Sequence, residues 1–84
     1  MYEIFLTLRS VTVAQRARDV CNRVGIRCVM QRSPRALATN GCAYALRLRL
    51  ADAKQAQMML EREGIPVKGI YQKKPSGEFV PWAL

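Results

Sequence analysis

Histidine is missing from this chain of 84 residues. Imidazole is the side chain that most readily moves protons near neutral pH. Hydrolases built on a Ser-His pair and zinc enzymes with histidine ligands therefore lose a central part. Lysine, tyrosine and the carboxylates are the bases that remain. Cysteine is scarce, with Cys21, Cys28 and Cys42 only. The number is odd, and the spacings fit neither a disulfide framework nor a zinc motif. A cytosolic protein with reduced thiols, no metal and no cofactor is the simplest expectation. Long apolar runs are absent too, and none approaches the roughly 20 residues that span a bilayer. Met1 to Leu6 lacks the basic stretch and small-residue cleavage site of a signal peptide.

Acidic residues are few. Six Asp and Glu stand against 14 Lys and Arg, a formal charge of +8. Ten of the basic residues are arginines, whose planar guanidinium suits phosphates and carboxylates. The charge is scattered rather than blocked. An anionic partner and plain solubility account for it equally well.

Half of the residues are hydrophobic, which argues against disorder. The length suits a single domain with one modest core. Tyr2, Ile4, Leu6 and Leu8 alternate with Glu3, Phe5, Thr7 and Arg9, the period of a strand. A helix opens at Ser10 or Thr12, the latter at capping-box spacing from Gln15. Val13, Ala17, Val20, Cys21 and Val24 share its apolar face, and Gly25 ends it. Ile26, Cys28 and Met30 mark a second strand. Arg32 to Gly41 breaks the pattern through Pro34 and Asn40-Gly41. Alternation resumes from Cys42 to Leu50. Asp52, with Gln55, can cap a second helix whose stripe is Ala53, Ala56, Met59 and Leu60. Gly64 ends that helix, and Val67 to Gln72 is a fourth strand.

Arg23-Val24-Gly25-Ile26 recurs as Arg62-Glu63-Gly64-Ile65. Each follows a strand and a helix of similar length. The order β-α-β-β-α-β predicts an α+β, ferredoxin-like domain over residues 1–72. Its four-stranded antiparallel sheet would carry both helices on one face. Residues 73–84 form a basic, aromatic tail. Phe79 and Trp82 favour its packing back on the sheet or against another copy of the chain.

The three thiols differ in setting. Cys21 lies on the apolar stripe of the first helix, and Cys28 on the inward face of the second strand. Buried cysteine behaves as a small hydrophobe. Cys42 follows a turn and ends a loop of about nine residues, where hairpins usually take two to five. Its parity with Tyr44 and Leu46 leaves a buried setting open. Gly41 gives room for approach to the sulfur. Arg32 and Arg35 share the loop, and either one, brought near, would favour the thiolate.

Pro34-Arg35-Ala36-Leu37-Ala38-Thr39-Asn40-Gly41-Cys42-Ala43-Tyr44-Ala45-Leu46-Arg47-Leu48 resembles a family of small bacterial domains of unknown function, the Se/S carrier protein-like domains. Their pattern is Pro-Arg, a short polar run, Cys-Gly, an apolar residue, Ala, Leu or Ile, and Arg. Gly25-Ile26, Gly64-Ile65 and Gly69-Ile70-Tyr71 match as well, so the resemblance covers about residues 2–72. The family's glycine after the cysteine is Ala43 here, which narrows access to the sulfur.

The resemblance implies a group carrier rather than a stand-alone catalyst. Cys42 would bear sulfur or selenium as a persulfide or selenopersulfide, between a donor and an acceptor protein. Arg35, Asn40, Gly41 and Ala43 would support it. Arg32, Arg47 and Arg49 are the candidate anion or partner contacts. One alternative is a non-catalytic interaction module, dimerising through the tail or a sheet face of Phe5, Val29, Ala43, Ala45 and Ile70. Another is salt-dependent RNA contact through Arg9, Arg27, Arg47 and Arg49. Gly41 to Leu48 looks superficially like an RNA-recognition strand, but its aromatic register fails and leaves only Phe5 to stack.

Overall fold

Ile4–Leu8 forms β1, and every one of its residues is buried. The computed structural model describes residues 2–38 and 43–82. After β1 come α1 (Val11–Arg23), β2 (Cys28–Arg32), β3 (Tyr44–Leu48), α2 (Ala53–Arg62), β4 (Gly69–Lys73) and β5 (Phe79–Pro81). The strands make one sheet in the order β2-β3-β1-β4-β5, and every pairing is antiparallel.

Parity divides the two faces. Ile4, Leu6 and Leu8 meet Leu46 and Leu48 of β3 on one side. Ala14, Ala17, Val20 and Cys21 of α1 close over them, with Ala53, Ala56 and Leu60 of α2. Small alanines on both helices let the backbones come near the sheet, so bulky strand residues fill the layer. Ser10 rather than Thr12 caps α1, its Oγ accepting from the Val13 N–H at 3.2 Å. Asp52 stands at the N-cap of α2 but makes no capping hydrogen bond. The turn Leu50–Asp52 precedes that helix, and Arg49 takes the Asp52 carboxylate instead, at 3.0 Å.

Both helices end alike. Ile26 donates to the Cys21 carbonyl and Gly25 to that of Asn22. Ile65 donates to Leu60 and Gly64 to Glu61 in the same pattern. This is the Schellman arrangement, with glycine in the left-handed conformation and an apolar residue following. Gly25 and Gly64 have φ of 81° and 70°, and Ile26 and Ile65 are buried. The internal repeat is therefore a repeated helix stop that turns the chain back into the core. Val24 takes the C-cap and is exposed, off the expected helix face.

The sheet has five strands where four were expected. Lys74 to Gly77 is a turn closed by Gly77 N–H to Lys74 O at 2.8 Å, with Gly77 at φ 92°. It returns the chain so that Phe79 pairs with Lys73 and Pro81 with Tyr71. Phe79 reaches Phe5 edge-to-face, with ring centroids 5.0 Å apart. Trp82 then packs against the helix-side core.

The face away from the helices is consequently not open in the way the alternation suggested. Phe5 and Ala45 are buried there beneath Leu37, with Tyr71 and Phe79 alongside. Ile70 pairs with Leu6 and packs on the helix side, one register away from the face expected for it. Val29 does remain exposed.

Two substitutions test these supports by urea denaturation. Gly64→Ala meets no atom within 4 Å, so only its backbone conformation is penalised. The expected loss is about 1–2 kcal/mol. Phe79→Ala should cost about 1–2 kcal/mol through lost contact with Phe5, since Phe79 is half-buried. Unchanged stability in Phe79→Ala would show that β5 adds nothing to the fold.

Candidate functional site

β2 and β3 form a hairpin whose last paired residues are Arg32 and Tyr44. Beyond them Ser33 N–H donates to the Ala43 carbonyl at 3.0 Å. Pro34 then turns the chain into a short 3-10 helix, Arg35–Leu37. Leu37 is the anchor of this segment. It is buried against Phe5 and Ala45, so it pins the connection to the sheet's outer face. Arg35 and Ala43 are exposed. Asn40, Gly41 and Cys42 lie outside the described residues.

The arginines separate into distinct settings. Arg32 places its guanidinium 5.8 Å from the Tyr44 ring, at the loop end of the hairpin. Arg47 lies 5.4 Å from the Phe5 ring on the outer face. It donates to the Gln31 side chain and the Tyr2 carbonyl, each at 3.4 Å. Arg47 also lines a cavity of about 410 Å³ with Tyr2, Glu3, Lys73, Lys74 and Pro75. Arg49 is held by Asp52. Six residues of extended chain span roughly 20 Å, so Arg49 stands far from Ala43 along the strand. The hairpin thus gathers Arg32, Arg35 and Ala43 at one end, and leaves Arg47 and Arg49 toward the other.

Cys21 is fully buried near the end of α1. Cys28 opens β2 and packs inward against the helix-side core as its parity predicts, but it is partly rather than fully buried. Interaction with Cys28, burial and the charge of Asp52 push the Cys21 thiol far above the ordinary range. Interaction with Cys21 holds Cys28 below it, opposed by burial and helped by Arg18. Parity and helical spacing had put both thiols in one layer.

A family model described as putative Se/S carrier protein-like matches residues 3–72. The chain belongs to that family. The Se/S carrier-like match runs from β1 into β4 and includes the whole β2–β3 connection. β5 lies beyond it. No curated protein and no solved structure matches the chain. Among the described residues no helix is long and apolar enough to cross a membrane, and no cluster could hold a metal ion.

Alkylation separates the two described thiols. A thiolate reacts and a thiol does not. A lowered pKa keeps more of Cys28 ionised at neutral pH, so its labelling by iodoacetamide should persist as pH falls below the usual thiol range. Cys21, buried and raised, should label only in denaturant. Peptide mapping that finds Cys21 labelled in the native protein as fast as Cys28 would contradict this assignment.

Proposed function

We propose that this protein carries sulfur or selenium on Cys42, passing it from a donor to an acceptor protein. The family match over residues 3–72, which includes Cys42 and the segment around it, supports this reading most directly. The chemistry asks little of the carrier. The Cys42 thiolate attacks the terminal sulfur of a donor persulfide, and the donor thiolate leaves with the electron pair. An acceptor thiolate then repeats the exchange on the loaded Cys42. No general base is required beyond what makes a thiolate, and the lack of histidine is compatible with that.

Within this reading Arg35, Asn40, Gly41 and Ala43 are the supporting residues of the carrying thiol, and Arg32 of the hairpin is a candidate anion contact. The arginine guanidinium favours thiolate or persulfide anion over the neutral forms. Arg47 and the lysines around the 410 Å³ cavity offer a separate cationic surface for an acidic partner. β1 to β4 with the two helices read as a ferredoxin-like unit that ends at Lys73, one residue past the expected boundary of 72, with β5 added to its sheet. Phe5, the ring expected to stack a base, is buried beneath Arg47 and Phe79, which weakens the RNA-contact alternative.

The test is a loading assay. Purified protein is incubated with a cysteine desulfurase and cysteine, and intact masses are taken. Wild type should gain a stable sulfur, and Cys42→Ser should not. Equal retained sulfur on both would remove Cys42 from the role, and none on wild type would remove sulfur carriage from this donor.

A further inference from the structure

The outer face of the sheet, away from the helices, carries cations that stand apart from the β2–β3 connection. Phe5 and Phe79 meet edge-to-face there, with ring centroids 5.0 Å apart. Each ring holds one cation. The Arg47 guanidinium lies 5.4 Å from Phe5, and Lys73 Nζ lies 6.0 Å from Phe79. The aromatic pair that closes the tail onto the sheet thus also positions two positive charges. Both line the cavity of about 410 Å³, with Tyr2, Glu3, Lys74 and Pro75. The Lys73 N–H donates to the Glu3 carbonyl at 2.8 Å, so backbone pairing between β1 and β4 fixes these two sides of the cavity.

Arg47 is the member of this group whose charge is least answered. Its two terminal nitrogens donate to Gln31 Oε1 and the Tyr2 carbonyl, each at 3.4 Å, long for a charged donor. Both acceptors are neutral. Arg47 Nε is buried and has no acceptor among the described residues. Arg18, Arg23 and Arg49 each have a carboxylate at ion-pair distance. Among the described residues Arg47, Lys73 and Lys74 have none. A partly buried guanidinium without a counter-charge is costly, and a bound anion offsets that cost. Glu3 is the carboxylate in the lining. Set against Arg47, Lys73 and Lys74, it leaves a net of two positive charges, three less one.

We propose that this cavity is an anion site for a phosphate group, either free phosphate or the phosphate monoester of a small organic molecule. Charge selects the ligand. A phosphate monoester carries about −1.5 to −2 near neutral pH, which matches the net charge of the lining. The guanidinium has five N–H donors in a fixed fork, so Arg47 keeps donors beyond the two already used. Lys73 and Lys74 add compact charges on flexible stems, which can close on the remaining oxygens. Shape selects the size. The cavity falls in the range of small-ligand sites, whereas an acidic protein surface meets only its rim. Tyr2 and Pro75 supply a wall for the organic part of a monoester. The site does not depend on sulfur carriage by Cys42.

The experiment titrates isotope-labelled full-length protein and follows its amide chemical shifts at physiological ionic strength, where scattered surface charge is screened. The probes are inorganic phosphate, phenyl phosphate and succinate. Both phosphates should saturate a single site, with shifts centred on Glu3, Arg47, Lys73 and Lys74. Tighter binding of phenyl phosphate identifies a monoester ligand and equal binding identifies free phosphate, and either result supports the site. Arg47→Gln and Lys73→Gln should each weaken phosphate binding roughly tenfold, through loss of a charged hydrogen bond. Glu3→Gln should strengthen it, because the lining loses its negative charge. Arg27→Gln alters an exposed arginine outside the cavity and should leave binding unchanged. Lys73 is exposed, so its variant decides the question where Arg47→Gln fails to fold. Shifts that never saturate, or equal weakening by Arg27→Gln and Lys73→Gln, overturn the proposal in favour of diffuse charge. Succinate binding as tightly as phosphate overturns the phosphate assignment.

Discussion

Everything in this molecule answers to the burial of β1 on both of its faces. Ile4, Leu6 and Leu8 need an apolar cover on one side, and Phe5 and Thr7 need one on the other. Two helices provide the first. A chain this short has no second layer left for the other face. It uses single side chains instead: Leu37 from the β2–β3 connection and Phe79 from the tail. Fully burying a residue such as Leu or Phe is worth about 1.5–3 kcal/mol, which is a large share of the stability of a small domain. The connection that leads to Cys42 and the C-terminal strand are thereby tied to the same central ring, Phe5.

That arrangement also explains what could be read from the residues and what could not. The two helices, the first four strands and both helix stops follow local rules of periodicity and glycine geometry, and they were legible. Alternation named Ile4, Leu6 and Leu8 as inward correctly, because hydrophobic parity reports the larger core. It said little of the other face, where Phe5 sits between Ile4 and Leu6 and could be read as a lone exposed aromatic. Ile70 was assigned to the wrong face because Val67 to Gln72 is weakly patterned, and pairing with β1 rather than parity fixes its direction. β5 escaped because three residues ending in proline are a poor strand signal. At an edge, proline is tolerated, since its missing N–H faces no ladder partner.

The candidate site divides along similar lines. Arg32, Arg35 and Ala43 are neighbours in sequence and fall together at the hairpin end. Arg47 and Arg49 looked equivalent to them by composition. A strand is long on the scale of a side chain, however, and Arg49 has a nearby acid to hold it. Local rules place Cys21 and Cys28 in the same layer without placing one relative to the other. A helix period and a strand period each place one cysteine, but only the turn between them sets how the two periods meet.

The two margins of the sheet are unlike each other. β5 is three residues long and ends in Pro81, so it offers a foreign strand little to pair with. β2 is five residues long, pairs only with β3, and carries Cys28 and exposed Val29. Lengthening of this sheet by an incoming chain is therefore directional. It can proceed along β2, past the half-buried thiol, while the opposite margin is sealed by the protein's own last strand.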